Sequence, residues 1–223
     1  MFQFQLPYRE AIKIAKKLAH SVAKEEHRRW SLQGFYLTRE QDGNHYAIST
    51  DGRKLTKIKI NPVYGEEGAI MKLPFPAMIF PAVALKQIEQ IKLASSDKSR
   101  RFVMFKIDNL DYRIELDDLV FVGRLHGGEY PDYQRIVPDY KSFTNQYGTE
   151  GFSPVYLAEI MKAASYDAEQ FKATATPVRF FFEAGNAGVI LEERDPDILY
   201  VVYPMRARGF PEHKHEQAGQ PAA

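Results

Sequence analysis

The sequence predicts an α+β protein with antiparallel sheets on one side and helices on the other. Three observations lead there. One plan, strand–helix–strand–strand–strand, recurs three times at a period of about 70 residues. Each repeat places an amphipathic or Pro-started helix before its three strands. Asp, Asn and Gly fall between the strands where tight turns are needed. Two such units side by side make a sheet-backed domain with both helices on one face.

The first unit opens at Leu6-Pro7-Tyr8, and Ala11, Ile14, Ala15, Leu18 and Val22 then recur at the spacing of a helical face. Strands are expected over Trp30–Thr38, Tyr46–Ser49 and Lys54–Ile60, with Asp42-Gly43 as the first turn. The second unit opens at Met78-Ile79-Phe80-Pro81. Pro81 suits a first helical turn, where its missing N–H costs nothing. Leu85, Ile88 and Ile91 carry the helix, and strands follow at Arg101–Ile107, Tyr112–Leu116 and Leu119–Leu125. The third opens at Phe152-Ser153-Pro154, with Ser153 as candidate N-cap and an apolar face of Leu157, Ile160, Met161 and Ala164. Strands Val178–Glu183, Val189–Glu192 and Leu199–Met205 complete it, turning at Gly185-Asn186. Residues 1–138 thus read as one complete two-unit domain, 139–151 as a linker, 152–208 as a half-domain and 209–223 as a disordered tail.

Composition removes several functions. Of the 223 residues, 30 are basic and 29 acidic, which excludes a polybasic or an acidic disordered chain. The absence of cysteine excludes disulfides, thiolate metal sites and cysteine nucleophiles. No apolar run approaches the roughly 18 residues that span a membrane, and no signal peptide is visible, so a cytoplasmic protein is expected. No Walker loop, His-x-x-x-His or Gly-x-Ser-x-Gly occurs. We therefore expect no catalytic residue, no metal and no cofactor. Asp108, Asp111, Asp117 and Asp118 cluster in sequence and could imitate a metal-dependent nuclease, but they fall at turns. His213 and His215 in the tail read as solvated.

The first helix is the one strongly charged segment. From Arg9 to Arg29 there are seven Lys or Arg against three Glu. Lys13, Lys16, Lys17, His20 and Lys24 recur at helical spacing, opposite the apolar face. Such a stripe can follow the phosphates of duplex DNA without reading sequence. A solvated helix face is the alternative.

Three motifs in order suggest a family. Thr50-Asp51-Gly52-Arg53-Lys54-Leu55 closes the first unit. Gly128-Glu129-Tyr130-Pro131-Asp132-Tyr133 followed by Arg135-Ile136-Val137-Pro138 closes the second. Tyr200-Val201-Val202-Tyr203-Pro204-Met205-Arg206 closes the third. Together they resemble the bacterial DNA polymerase III β subunit, the sliding clamp, from about Leu6 to Arg206. The resemblance implies the DNA-clamp fold, with units one and two matching the middle domain and unit three the second half of the last, in a shortened member.

It also implies a non-enzymatic processivity or adaptor factor. Such a protein docks polymerases or repair proteins through short clamp-binding peptides and contacts double-stranded DNA through its helices, with no membrane partner. A homo-oligomer stays open. The positions matching the family's peptide pocket are Leu32, Thr50, Gly52, Arg53, Lys54, Leu55, Pro131, Arg135, Ile136, Val201, Tyr203, Pro204, Met205 and Arg206. Arg53 and Lys54 replace the usual His and Arg, and Tyr203 replaces a common Met and should narrow the slot. Two alternatives are an adaptor or decoy that binds such peptides without encircling DNA, and the Asp108–Asp118 nuclease.

Overall fold

The computed structural model describes residues 2–24, 29–63, 76–93, 101–144, 151–170 and 177–205. The elements run β1 (Phe2–Pro7), α1 (Tyr8–Leu18), β2 (Gly34–Arg39), β3 (His45–Thr50), β4 (Lys54–Ile60), β5 (Met78–Pro81), α2 (Ala82–Gln90), β6 (Phe102–Asp108), β7 (Asp111–Leu116), β8 (Leu119–Arg124), β9 (Gly151–Phe152), α3 (Pro154–Gln170), β10 (Val178–Phe181), β11 (Gly188–Glu192), β12 (Ile198–Val202) and β13 (Pro204–Met205). The strand–helix–three-strand order thus appears three times.

Several boundaries differ from the sequence reading. Helix α1 ends at Leu18 rather than reaching Val22. Ser49 Oγ donates to the Leu18 carbonyl at 2.9 Å, and the Ser21 N–H reaches the same oxygen at 3.0 Å. These bonds satisfy a carbonyl that the helix end leaves open. Trp30–Leu32 forms a 3₁₀ turn, so the expected strand begins only at Gly34. The last expected strand is split: Tyr203 separates β12 from β13.

Units one and two exchange their opening strands. Strand β1 pairs antiparallel with β6 and completes a four-stranded sheet, β1-β6-β7-β8. Strand β5 pairs with β2. Strand β4 pairs with β12, so unit three continues the sheet of unit one as β10-β11-β12-β4-β3-β2-β5. Helices α1 and α2 pack together on one side, and α3 packs against α1. The main core lies between helices and sheets. Ala11, Ile14, Ala15 and Leu18 of α1 meet Phe4, Phe80, Phe105 and Tyr112 there, all buried. The α1 apolar face read from periodicity is therefore the buried one.

Candidate peptide-docking face

The outer face of the β4–β12 seam carries a second apolar cluster, separate from the main core: Ile48, Leu55, Tyr133, Ala187 and Val201. Leu55 and Val201 sit opposite each other in the antiparallel register, and both are fully buried. Tyr36, Tyr46, Tyr130, Ile136 and Tyr203 pack around them, half-buried. Position along the strands explains this. Alternate residues point to opposite faces. Ile58, Ile60, Tyr200 and Val202 therefore enter the main core, while Leu55 and Val201 look outward.

A tight turn joins β3 to β4 at the end of this cluster. Asp51 Oδ1 accepts the N–H groups of Arg53 (2.8 Å) and Lys54 (3.0 Å). Thr50 Oγ1 accepts the Gly52 N–H at 3.1 Å and donates to the Lys54 carbonyl at 2.7 Å. Gly52 has φ +84°, a conformation that disfavours any side chain. The turn exposes Arg53 and folds Lys54 inward onto Asp51 (2.5 Å) and Glu159 of α3 (2.8 Å). Burial opposes the Lys54 charge, but the two carboxylates outweigh it and raise its pKa. Lys54 thereby ties unit one to unit three.

Tyr203 joins the three motif segments. Its N–H donates to the Arg53 carbonyl (3.0 Å) and its hydroxyl to the Ile136 carbonyl (3.2 Å). Burial pushes the phenol pKa up to about 12, so it stays a donor at neutral pH. Pro204 and Met205 form β13 against β9, with Met205 48 % exposed. Pro131 and Ile136 are half-buried, and Arg135 is exposed beside Asp132 at 2.8 Å.

Not every expected position joins the cluster. Leu32 is buried, but in the 3₁₀ turn, where its carbonyl accepts the Ala23 N–H; it is not a member of the Leu55 cluster. Arg206 lies outside the described residues, as does the tail from 209. Sequence reasoning also missed neighbours. Tyr36 and Tyr130 stack with ring centroids 4.7 Å apart, and beside them opens a cavity of about 460 Å³ lined by Ile79, Leu125 and His126. Lys57 lies 3.9 Å from the centroid of the Tyr46 ring and 2.7 Å from Glu40. The clustered tyrosines in β2, β3 and the Tyr130–Tyr133 segment were the available signal.

The basic stripe is largely committed inside the protein. Lys17 is not on the solvent face. It is fully buried, 2.6 Å from Glu192 and 3.2 Å from the Ala163 carbonyl. Periodicity placed it beside Lys13 and Lys16, but α3 and β11 pack over that edge of α1. Lys13 pairs with Asp195 at 2.6 Å and Lys16 with Glu89 at 2.8 Å. His20 and Lys24 lie beyond the end of α1, half-buried and exposed. Burial and the nearby Lys162 lower the His20 pKa, so it is mainly neutral at pH 7.

The four candidate nuclease carboxylates do not converge. Asp108 and Asp111 bracket the turn before β7, whereas Asp117 and Asp118 form the turn after it. The six residues of β7 hold those turns about 20 Å apart. Among the described residues, no three His, Asp or Glu side chains gather as a metal site.

This architecture is the DNA sliding-clamp fold. A sliding clamp from Borrelia burgdorferi, solved with a natural product, matches 94 % of this chain and 65 % of its own, with a TM-score of 0.69 and 16 % identity. The sliding clamp of Bartonella birtlesii bound to griselimycin matches 92 % and 66 %, with a TM-score of 0.66 and 16 % identity. In sequence, the chain is similar to the β sliding clamp of Buchnera aphidicola, 28 % identical over 177 residues. It is also 27 % identical over 139 residues to that of Rickettsia bellii. The resemblance carried by the three motifs is borne out: the chain is similar in sequence and in fold to the bacterial β sliding clamp, the β subunit of DNA polymerase III. The Buchnera match spans 79 % of this chain but 44 % of the relative. No family model matches. Among the described residues, no helix is long and apolar enough to cross a membrane.

Proposed function

We propose that this clamp-like protein is a non-enzymatic docking factor. Its groove over the β4–β12 seam receives a short linear peptide of the clamp-binding type from polymerases or repair proteins. One observation carries the reading. Three segments far apart in sequence, carrying Leu55, then Tyr133 with Ile136, then Val201 with Tyr203, meet on one outward apolar face, bound together by the two hydrogen bonds of Tyr203. Met205, two residues beyond Tyr203, is 48 % exposed. Methionine adapts its shape to varied apolar ligands. The griselimycin and natural-product complexes of the structural neighbours are in keeping with a ligand-binding clamp surface.

Two peptide anchors buried in such a groove contribute about 1.5–3 kcal/mol each. Ordering the peptide offsets much of that, which leaves affinity on the order of micromolar. The test is calorimetric titration of a peptide with one glutamine and two apolar anchors. Met205→Ala should weaken it about tenfold, with an unchanged melting curve. Equal affinity for both proteins, or no binding to the parent, overturns the reading.

DNA contact through the helix side is the second part of the proposal: with Lys17 buried, Lys13 and Lys16 in ion pairs and His20 mainly neutral, its support rests on Lys24 and on Lys16, whose side chain stays 44 % exposed beside Glu89. Binding should be sequence-independent and fall steeply with salt. Lys16→Glu with Lys24→Glu should abolish it, and duplex binding equal to the parent's would dismiss it.

A further inference from the structure

Strand β8 ends the four-stranded sheet, and its outer edge has no strand beside it among the described residues. The edge is apolar: Val120 is 51 % exposed, Val122 62 % and Leu119 43 %. An open apolar edge strand is a template for pairing with another chain. The backbone is presented for it. Leu125 donates to Leu110, and β7 and β8 close through the two-residue turn Asp117-Asp118 on the pair Leu116–Leu119. Bonded and non-bonded pairs alternate along an antiparallel ladder. Val120, Val122 and Arg124 therefore turn N–H and C=O outward. The Gln87 amide, 3.3 Å from the Val122 carbonyl, confirms that this oxygen faces away from β7.

The repeat shows what covers such an edge. In units one and three the strand in the place of β8 is β4 and β12, and these two pair with each other, antiparallel, edge to edge. We propose that β8 pairs in the same way with β8 of a second copy of this chain. The segment is self-complementary under a two-fold axis. When the outward-facing residues pair with full overlap, Val122 lies opposite Val122 of the second copy, and Val120 opposite its Arg124. Arg124 then lies diagonal to Asp118 of the second copy, so each end of the ribbon joins opposite charges. The Gln87 amide swings off the Val122 carbonyl to make way. Gly123 keeps the strand thin on its other face: a Cβ there would come within 2.4 Å of the Tyr112 ring.

This inference is independent of the peptide reading, since β8 and Met205 lie on different units. The experiment has two arms. Light scattering over a rising concentration series should give the parent twice the single-chain mass. Val122→Lys should halve it, and Val155→Lys, an exposed position on α3, should leave it unchanged. The second arm uses the absence of native cysteine. Residues directly opposite in a bonded antiparallel pair have Cα atoms about 5.5 Å apart, within disulfide reach. Val122→Cys should therefore cross-link rapidly under mild oxidant, and Val155→Cys should not. A parent that keeps single-chain mass throughout, as it would if a clamp-type unit of a different chain covered β8, overturns the inference. So does cross-linking of Val122→Cys no faster than Val155→Cys. The cysteine arm decides the matter even if Val122→Lys fails to fold, and peptide affinity of the folded Val122→Lys protein should equal the parent's.

Discussion

The two faces of the β4–β12 seam are built on the same pair of strands and held by opposite physics. On the helix side lie Lys17, Glu192 and Tyr200, all fully buried, with Glu192 Oε1 taking hydrogen bonds from Lys17 Nζ at 2.6 Å and from the Tyr200 hydroxyl at 2.5 Å. On the outer side lie Leu55 and Val201, rimmed by tyrosines. The inner face is directional: four groups from α1, α3, β11 and β12 meet in one geometry. The outer face is mainly apolar, with the Tyr203 hydrogen bonds at its rim. Charge buried with partners suits a joint that must not slide. The contrast explains how unit three is fixed to unit one by directional bonds on one face and by apolar packing on the other.

The sharpest way to break the contrast is on the inner face. Glu192→Ala leaves the Lys17 ammonium buried without its carboxylate, which should cost about 3–5 kcal/mol in urea unfolding. Replacing both partners by Lys17→Met with Glu192→Leu should restore most of that loss, because no charge then stays unpaired. A small effect of Glu192→Ala would show that the joint is held by apolar packing on both sides. On the outer face, Tyr203→Phe removes only the bond to the Ile136 carbonyl and should cost about 1 kcal/mol. A cost as large as that of Glu192→Ala would make the outer face as directional as the inner.

Acid gives a milder test. Burial lowers the pKa values of His20, His45 and His126. Each folded site prefers the neutral imidazole, so the unfolded chain takes up protons first as pH falls. Their contribution is fully present above the ordinary histidine range and is lost as pH drops through it. The melting temperature should therefore fall between about pH 7.5 and 5.5, and His20→Gln should reduce the drop. Glu10, whose carboxyl burial raises, acts in the opposite sense, but only nearer the carboxylate range. A melting temperature that rises on acidification across this window contradicts the assignment. Smallest of all, Met205→Ala should change unfolding by less than about 0.5 kcal/mol, whatever it does to peptide affinity.

Much of this was legible in the chain itself. Asp42-Gly43 and Gly185-Asn186 marked turns because those residues favour turn geometry locally; Gly43 and Gly185 both have positive φ. The α1 apolar face was legible because helical period is local, and the three motifs because their order repeats the family's. The sequence by itself thus determined the three-unit plan, the turns and which side of α1 is apolar. The tertiary structure alone decided the exchange of β1 and β5 between units, the union of β4 with β12, and the fate of the basic stripe. Lys17 and Glu192 stand 175 residues apart. Helical spacing tells which residues share a face, but which charge is desolvated and paired depends on the elements that pack over that face.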